Sequence, residues 1–212
     1  QINCLSTVIF NYGHYIKEAI GSALQQTYKE IEVIVVDDGS TDNSSETLAI
    51  YGNRIKTVFQ ANQGLPSARN AGIAIATGDY LLFLDADDIL LPNACLDLLQ
   101  GFHEHPDCGV IFGNSERVYS EKTTRKPHFK EVRYFTHREI LFDNPISVSE
   151  ALAKREILEK IGCFRPELLQ SEDNDFWIRA SKAFPIFHID ALVTRYALAY
   201  PGKRFKVSDG KN

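Results

Sequence analysis

The first half of the chain alternates short apolar runs with segments in which apolar side chains recur every three or four residues. Leu5 to Phe10 is such a run, and Tyr15 to Gln26 then has the spacing of a helix that covers a sheet. Ile31 to Val36 (IEVIVV) is almost continuously apolar and β-branched, which is typical of a parallel strand buried on both faces. Strands that alternate with helices in this way predict a parallel, doubly wound sheet.

The alternation continues beyond Val36. Asn43 and Glu46 have the spacing of a capping box and predict the start of the next helix. Pro66 is tolerated in the first turn of a later helix. The further elements that we predict are a helix at 43–51, a strand at 55–59, a helix at 64–76, a strand at 80–84, the approach to a helix at 89–92, that helix at 93–104 and a strand at 109–112.

The second half of the chain has a weaker pattern. Charged and turn-forming residues from Asn114 to Lys130 predict a mobile loop near the ligand. We then predict a short helix at 135–142, a strand at 148–153, a helix at 154–161 that Gly162 stops, a helix capped by Ser171 that runs to about Ala183, and strands at 186–189 and 192–198. We expect one domain over residues 1–212, with a ligand-binding part at 1–113 and a C-terminal subregion at 114–212.

Two groups of acidic residues follow predicted strands. Asp37 and Asp38 come after one strand, and Asp85, Asp87 and Asp88 come after another. In a doubly wound sheet, ligands bind beyond the carboxyl ends of the strands. Clustered carboxylates repel each other and stay ionised only beside a cation, so the second group favours a divalent metal with a diphosphate as its other ligand. A merely polar turn is the alternative for both groups, and the first could also hold a base or a ribose hydroxyl.

Charged side chains at two predicted helix starts are further candidates. Arg69 lies on a helix that begins beside the ligand edge, where a guanidinium would suit an anionic diphosphate or be a simple surface charge. Glu172 and Asp173 lie in the first turn of a helix, a position that the helix dipole favours and that keeps a carboxylate ionised, as a general base requires. Phe176 and Trp177 follow, either as core residues or as a platform for a ligand ring.

Composition excludes some classes of function. A net charge of -5 argues against sequence-independent nucleic-acid binding, which usually needs a basic face. No apolar run approaches the roughly 20 residues of a membrane span, and no signal peptide opens the chain. The four cysteines include no CxxC pair, which indicates neither a zinc site nor a disulfide framework. We therefore expect reduced thiols in a cytoplasmic setting.

Four segments of the sequence together resemble the family 2 inverting glycosyltransferases of GT-A fold. They are TVIFNY, EAIGSALQQTYKEIEVIVVDDGSTDNS, NQGLPSARNAGIAIATGDYLLFLDADDILLP and SEDNDFW. The resemblance is dense over residues 5–113 and returns at 171–179. It implies an α/β fold of the GT-A, Rossmann-like type, with a mostly parallel sheet flanked by helices and an acceptor-side subregion at 114–212.

The resemblance implies a donor site at the carboxyl edge of the sheet. The end of the first strand with Asn11, together with Asp38, looks like the nucleotide-binding edge, where Asp38 lies near the uracil in members that use uridine diphosphate. Arg69 resembles the arginine that supports the nucleotide. Asp85 and Asp87 match the family's DxD motif. Asp87 would be the direct ligand of Mn²⁺ or Mg²⁺, and Asp85 would contact the ribose or reach the metal through water.

The resemblance also implies the reaction. Asp173, in its pair with Glu172, resembles the catalytic base that removes a proton from an acceptor hydroxyl. The expected activity is inverting transfer of one sugar from a nucleotide-diphosphate sugar, a UDP-sugar in many members, to a glycan or a lipid-linked glycan during surface glycan synthesis. A lipid-linked acceptor would bring the chain to the inner face of the membrane as a peripheral protein. The QxxRW motif of processive synthases is absent, which favours single transfers.

The sequence departs from the family pattern in two places. The first loop, at Asn11, is a few residues shorter than usual. The family's histidine near the last strand has no clear counterpart, although Tyr200 lies in roughly that neighbourhood.

Two other functions remain open at this point. A phosphorylatable receiver domain of signalling proteins also has paired acids at the ends of parallel strands, but it would leave residues 114–212 and the Glu172–Asp173 pair unexplained. A glycosyltransferase-like domain that binds a nucleotide sugar without turnover would keep the donor site and lack the base chemistry.

Overall fold

A computed structural model describes residues 2–13, 15–119, 122–124, 131–168 and 170–197. The strands are β1 (Ile2–Ile9), β2 (Val33–Asp37), β3 (Lys56–Phe59), β4 (Tyr80–Asp85), β5 (Asp88–Leu90), β6 (Val110–Tyr119), β7 (Lys122–Thr124), β8 (Arg133–Phe135), β9 (Ala151–Lys154) and β10 (Ile186–Ala197). The α-helices are α1 (Ile16–Leu24), α2 (Ser44–Ala49), α3 (Leu65–Ile75), α4 (Ala94–Glu104), α5 (His137–Phe142), α6 (Ile157–Ile161) and α7 (Glu172–Ala183).

One half of the sheet is parallel, as the sequence predicts. Its strands lie in the order β3-β2-β1-β4, and each pairs in parallel with its neighbour. All five residues of β2 are buried, because helices cover both faces of this central strand. Its apolar, β-branched side chains pack into the cores on the two faces. Asp37 and Asp85 are the last residues of β2 and β4, so both acidic groups lie at the carboxyl edge.

The other half of the sheet is mixed. From β4 the order continues β9-β6-β10-β5, and β9 runs antiparallel to both β4 and β6, whereas β6 and β10 are parallel. The short strand β5 pairs antiparallel with β10. The chain therefore has the predicted α/β fold class, with a sheet that is parallel from β3 to β4 and mixed beyond β4.

Several predicted boundaries are wrong. β6 continues to Tyr119 where we expected a loop from Asn114, and residues 88–90 form a strand where we expected the approach to a helix. The two predicted strands at 186–198 are one strand, β10, with shifts in register. Polar residues enter β6 because they pair across the sheet, and the buried Glu116 accepts a hydrogen bond of 2.6 Å from Arg195 Nε.

Two helix caps also differ from the prediction. Asn43 makes no side-chain capping bond, and Asp42 Oδ1 accepts instead from the Ser44 backbone N–H at 3.0 Å. Ser171 precedes α7 but does not cap it through its side chain. A capping box is present at α5 instead, between Thr136 and Glu139.

Apolar side chains form a core on each face of the sheet. One core packs β1, β2 and β4 against α1, α2 and α4, and the other packs the opposite face against α3, α5, α6 and α7. Phe176 and Trp177 are fully buried in the second core. They are core residues, and the alternative of a ligand platform is wrong.

In the described parts of the chain, no helix is long and apolar enough to cross a bilayer.

Two helical glycines provide a matched test of how closely α4 packs on the sheet. An added Cβ at Gly101 would lie 2.7 Å from Cγ2 of the fully buried Ile111, whereas a Cβ at Gly21 would meet nothing within 4 Å. We expect Gly101→Ala to lower the free energy of unfolding by about 1–3 kcal/mol through overpacking. Gly21→Ala should raise it by roughly 0.5–1 kcal/mol, because alanine favours the helix. Urea titration measures both values, and equal effects would contradict the close packing.

Candidate functional site

A cavity of about 280 Å³ opens at the carboxyl ends of β1, β2 and β4. The predicted residues Asp38, Asp85 and Asp87 all line it, although they are far apart in the sequence. The other lining residues are Val8, Phe10, Tyr12, Leu65 and Ala86. A lining that combines carboxylates with apolar and aromatic groups suits a ligand with a flat ring and polar substituents.

Asp38 organises the loop that leads into α3. Its Oδ1 accepts from Gln60 Nε2 at 2.7 Å and from the Gln63 backbone N–H at 2.9 Å, and its Oδ2 accepts from the Gly64 N–H at 2.9 Å. The side chain is buried. An ionised carboxylate offers about four acceptor positions, so three bonds to the loop leave capacity for a ligand in the cavity.

Asn11 ties together the loops after β1 and β2. It has a left-handed backbone (φ 58°), which asparagine tolerates well, and its Oδ1 accepts from the Thr41 N–H at 2.8 Å. The backbone N–H of Asn11 donates to Ser40 Oγ, and the backbone N–H of Ser40 donates to Asp37 Oδ1. Asp37 is thus bonded within a turn. Asn11 is not among the residues that line the cavity, whereas its neighbours Phe10 and Tyr12 are, and sequence reasoning missed both.

Arg69 connects the cavity to the start of α7. Its buried guanidinium donates from Nη2 to Asp85 Oδ1 at 3.1 Å and from Nη1 to Glu172 Oε1 at 2.5 Å. The ring of Phe164 lies 5.3 Å from the guanidinium carbon. Asn70, the next residue, holds the backbone of Phe164 with both ends of its amide, at 2.8 and 3.0 Å. Two neighbouring side chains of α3 therefore fix the segment that leads to α7.

The adjacent acids Glu172 and Asp173 have different surroundings. Glu172 is buried and paired with Arg69, whereas Asp173 is half-buried and accepts a hydrogen bond of 2.8 Å from the Asn174 backbone N–H. Ser171, just before them, has a left-handed φ of 58°. Such a conformation is strained in serine and sets the direction in which the helix starts. Of the two predicted catalytic carboxylates, Asp173 is the one that retains access to solvent.

The acids after β4 also separate. Asp85 and Asp87 line the cavity, whereas Asp88 belongs to β5 and its Oδ2 accepts from Ser149 Oγ at 2.8 Å. Ser149 Oγ also accepts from the Asp85 backbone N–H at 3.1 Å. Asp88 therefore helps to fix the turn that carries the other two acids.

The donor atoms at this turn fit a hard divalent cation. Among the described residues, no group of three or more side chains is arranged to hold a metal ion. Asp85 and Asp87 supply carboxylate oxygens at one wall of the cavity, and Mg²⁺ is commonly held by one or two carboxylates together with substrate phosphates and water. Tyr200, considered above as a counterpart of the family's histidine, lies outside the described residues.

Tyr196 lies beside the acidic turn, and sequence reasoning did not single it out. It faces Asp88 across the β10–β5 pair, and its hydroxyl lies 3.4 Å from Ser147 Oγ. Burial raises the pKa of this phenol above its usual value, and the charges of Asp88, Asp85 and Glu150 raise it further. Tyr196 therefore remains a neutral hydroxyl beside the carboxylates.

Comparisons with known proteins identify relatives of this chain. The sequence model described as glycosyl transferase family 2 matches residues 5–162. Glycosyltransferase GlyG of Streptococcus pneumoniae is 42% identical over 110 residues, which cover 50% of this chain and 36% of that protein. An uncharacterised glycosyltransferase of Rickettsia conorii is 33% identical over 199 residues, which cover 86% of this chain and 31% of that protein.

Solved structures share the fold. The crystal structure of S. aureus TarS 1–349 superposes with a TM-score of 0.80 at 25% identity and covers 93% of this chain and 60% of that one. TarS 1–349 in complex with UDP-GlcNAc gives a TM-score of 0.81 at 23% identity, covering 100% of this chain and 62% of that one. The chain spans about a third of the length of the curated relatives described above.

The ion pairs of Arg69 are open to a direct test. Arg69→Met leaves Glu172 buried without its cationic partner, and we expect a loss of about 3–5 kcal/mol in the free energy of unfolding. The control is Lys56→Met, which breaks the half-exposed pair with Glu32 and should cost at most about 1 kcal/mol. The double variant Arg69→Met/Glu172→Met should recover much of the loss. Urea titrations measure the free energies of unfolding. Equal losses for Arg69→Met and Lys56→Met would contradict a structural role for the ion pairs of Arg69.

Proposed function

The chain belongs to glycosyl transferase family 2, and we propose that it transfers one sugar from a UDP-sugar to an acceptor hydroxyl with inversion at the anomeric carbon. The observation that carries this proposal is the meeting of Asp38, Asp85 and Asp87 in one cavity, coupled through Arg69 to the helix that begins with Glu172 and Asp173. The family assignment excludes the receiver-domain alternative.

The donor would lie in the cavity at the carboxyl edge. Its base would rest among Phe10, Tyr12 and Leu65, with Asp38 as the acceptor for an N–H group of the base. The diphosphate would then extend toward Asp85 and Asp87. The complex of TarS with UDP-GlcNAc supports a uridine nucleotide as the donor.

Asp87, with support from Asp85, would hold Mn²⁺ or Mg²⁺ together with the diphosphate. When bound, the metal supplies Lewis-acid stabilisation of the charge that develops on the leaving diphosphate. The role of Arg69 is to neutralise and orient Asp85, and it acts on the donor through that carboxylate, because its own donors are directed at Asp85 and Glu172.

Asp173 would act as the general base. A half-buried carboxylate in the first turn of this helix can reach a hydroxyl that enters from solvent. It removes the proton of the acceptor hydroxyl as the oxygen attacks the anomeric carbon from the face opposite the diphosphate. One displacement then inverts the configuration. Glu172 holds the start of the helix against Arg69 while this occurs.

The acceptor that we propose is a glycan or a lipid-linked glycan used in surface glycan synthesis. A lipid-linked acceptor would place the chain at the inner face of the membrane as a peripheral protein.

The second candidate function is a domain that binds a nucleotide sugar without turnover. The first of the two experiments below distinguishes this domain from the enzyme.

Asp173→Asn tests the base. We expect transfer to fall by about 10²–10⁴-fold, because the amide cannot accept the proton, while binding of UDP measured by calorimetry stays unchanged. Asp107→Asn, on the exposed loop before β6, is the matched control and should transfer at the normal rate. Unchanged turnover in Asp173→Asn would refute the assignment of the base, and a wild-type protein that binds UDP without transfer would favour the non-catalytic candidate.

Thermal unfolding against nucleoside diphosphates, with and without Mn²⁺ or Mg²⁺, tests the donor site. A nucleotide at 100 times its Kd should stabilise the folded chain by about 2.7 kcal/mol. We expect UDP with metal to raise Tm most, and Asp87→Asn to remove the part of the shift that depends on metal. The Asp107→Asn variant should keep it. An Asp87→Asn protein with the full metal-dependent shift would exclude Asp87 as a ligand.

A further inference from the structure

A groove between α5 and the edge strand β8 has no role in the chemistry above. It has a volume of about 340 Å³ and is lined by Arg133, Phe135, Arg138, Glu139, Phe142 and Asp143. Phe142 is 77% exposed, more than the other large apolar side chains in the described parts of the chain. A concave site that combines aromatic rings with a few polar groups has the general composition of a small-ligand site.

Helix α5, which forms one side of the groove, is joined to α7 by side-chain hydrogen bonds near both of its ends. Helix α5 lies along α7, with His137 Nδ1 2.9 Å from Ser181 Oγ near the end of α7. At the other end of α5, Asn144 Nδ2 donates to Asn174 Oδ1 at 2.6 Å. Phe142 therefore lies at the end of α5 that is bound to the residue next to Asp173.

Two of the polar groups of the groove, Arg133 and Glu139, are bonded to each other. The guanidinium of Arg133 lies 3.9 Å from the centre of the Phe135 ring and donates to Glu139 Oε1 at 2.7 Å. Hydrogen bonds from Thr136 and from Arg133 lower the pKa of Glu139 to about 2, so its carboxylate stays charged. The guanidinium of Arg138 lies 5.9 Å from the ring of Phe142.

The charges of the groove select among ligand classes. Its two arginines are balanced by the carboxylates of Glu139 and Asp143, so it has no excess of positive charge to attract a polyphosphate or a nucleic acid. It offers instead an apolar ring face together with fixed donors and acceptors. A neutral sugar has the matching chemistry, because one face of its ring is lined by C–H groups and its hydroxyls both donate and accept.

We propose that this groove binds a neutral sugar unit of the acceptor glycan, at a distance from the unit that receives the new sugar, and that Phe142 provides its stacking surface. The identification of the glycan as an acceptor rests on the proposed function, whereas binding of the sugar itself does not require transfer. The groove would then select acceptors by length, since an acceptor too short to reach it would gain nothing from it.

Binding to an array of neutral oligosaccharides, followed by calorimetry on the bound glycan, tests the proposal. We expect wild-type protein to bind at least one neutral oligosaccharide, and Phe142→Ala to bind it about tenfold or more weakly, a change that corresponds to about 1.4 kcal/mol. Phe142→Tyr keeps the ring and should keep the affinity. The matched control is Phe59→Ala, which removes a phenylalanine that is 61% exposed on β3, at the other end of the sheet, and should leave affinity unchanged.

Three results would overturn the proposal. They are equal binding by Phe142→Ala and wild-type protein, no binding to any neutral glycan, and Phe142-dependent flotation with phosphatidylglycerol vesicles in place of glycan binding. The stabilisation by UDP should be the same in Phe142→Ala and wild-type protein. If wild-type protein binds the glycan but is not stabilised by UDP, the proposed donor site is refuted and the proposed sugar groove is not.

Discussion

A buried guanidinium group connects the two halves of this structure. Removing Arg69 from water is costly, and the cost is tolerable only because Asp85 and Glu172 compensate its charge from opposite sides. One carboxylate, Asp85, ends β4 at the cavity, and the other, Glu172, begins the helix that carries the proposed base. These ion pairs therefore hold the start of α7 at a set distance from the cavity, as the proposed direct displacement requires.

At the carboxyl edge of the sheet, the loops are hydrogen-bonded to each other. Asp38 binds the loop before α3 with both oxygens, and Asn11 joins the loops after β1 and β2. These carboxyl-edge loops therefore form one hydrogen-bonded group. Gly39 contributes to this arrangement, since its φ of 81° and an added Cβ 2.8 Å from the Asn62 backbone nitrogen exclude a larger residue.

The sequence predicts the parallel half well and the mixed half poorly, for a physical reason. The strand β2 is buried on both faces, and a local run of β-branched residues is enough to predict that burial. In β6, by contrast, Asn114 and Glu116 have the polar character of loop residues. They can be buried because they form hydrogen bonds with Asp190 and Arg195 on β10, and these partners lie too far along the chain to be recognised from the local sequence. The contact between Arg69 and Glu172 is likewise invisible locally, although each residue was already a candidate.

The start of α7 shows how surroundings assign roles to similar groups. Glu172, Asp173 and Asp175 all lie in the same first turn, where the helix dipole favours negative charge. Glu172 is paired with Arg69, and Asp175 is paired with Arg165 and Arg179. In the described part of the chain, Asp173 takes part in none of the ion pairs of this turn. The neighbouring pairs hold the backbone on both sides of Asp173, so its carboxylate is positioned by the helix and remains chemically available, which is the combination that a general base needs.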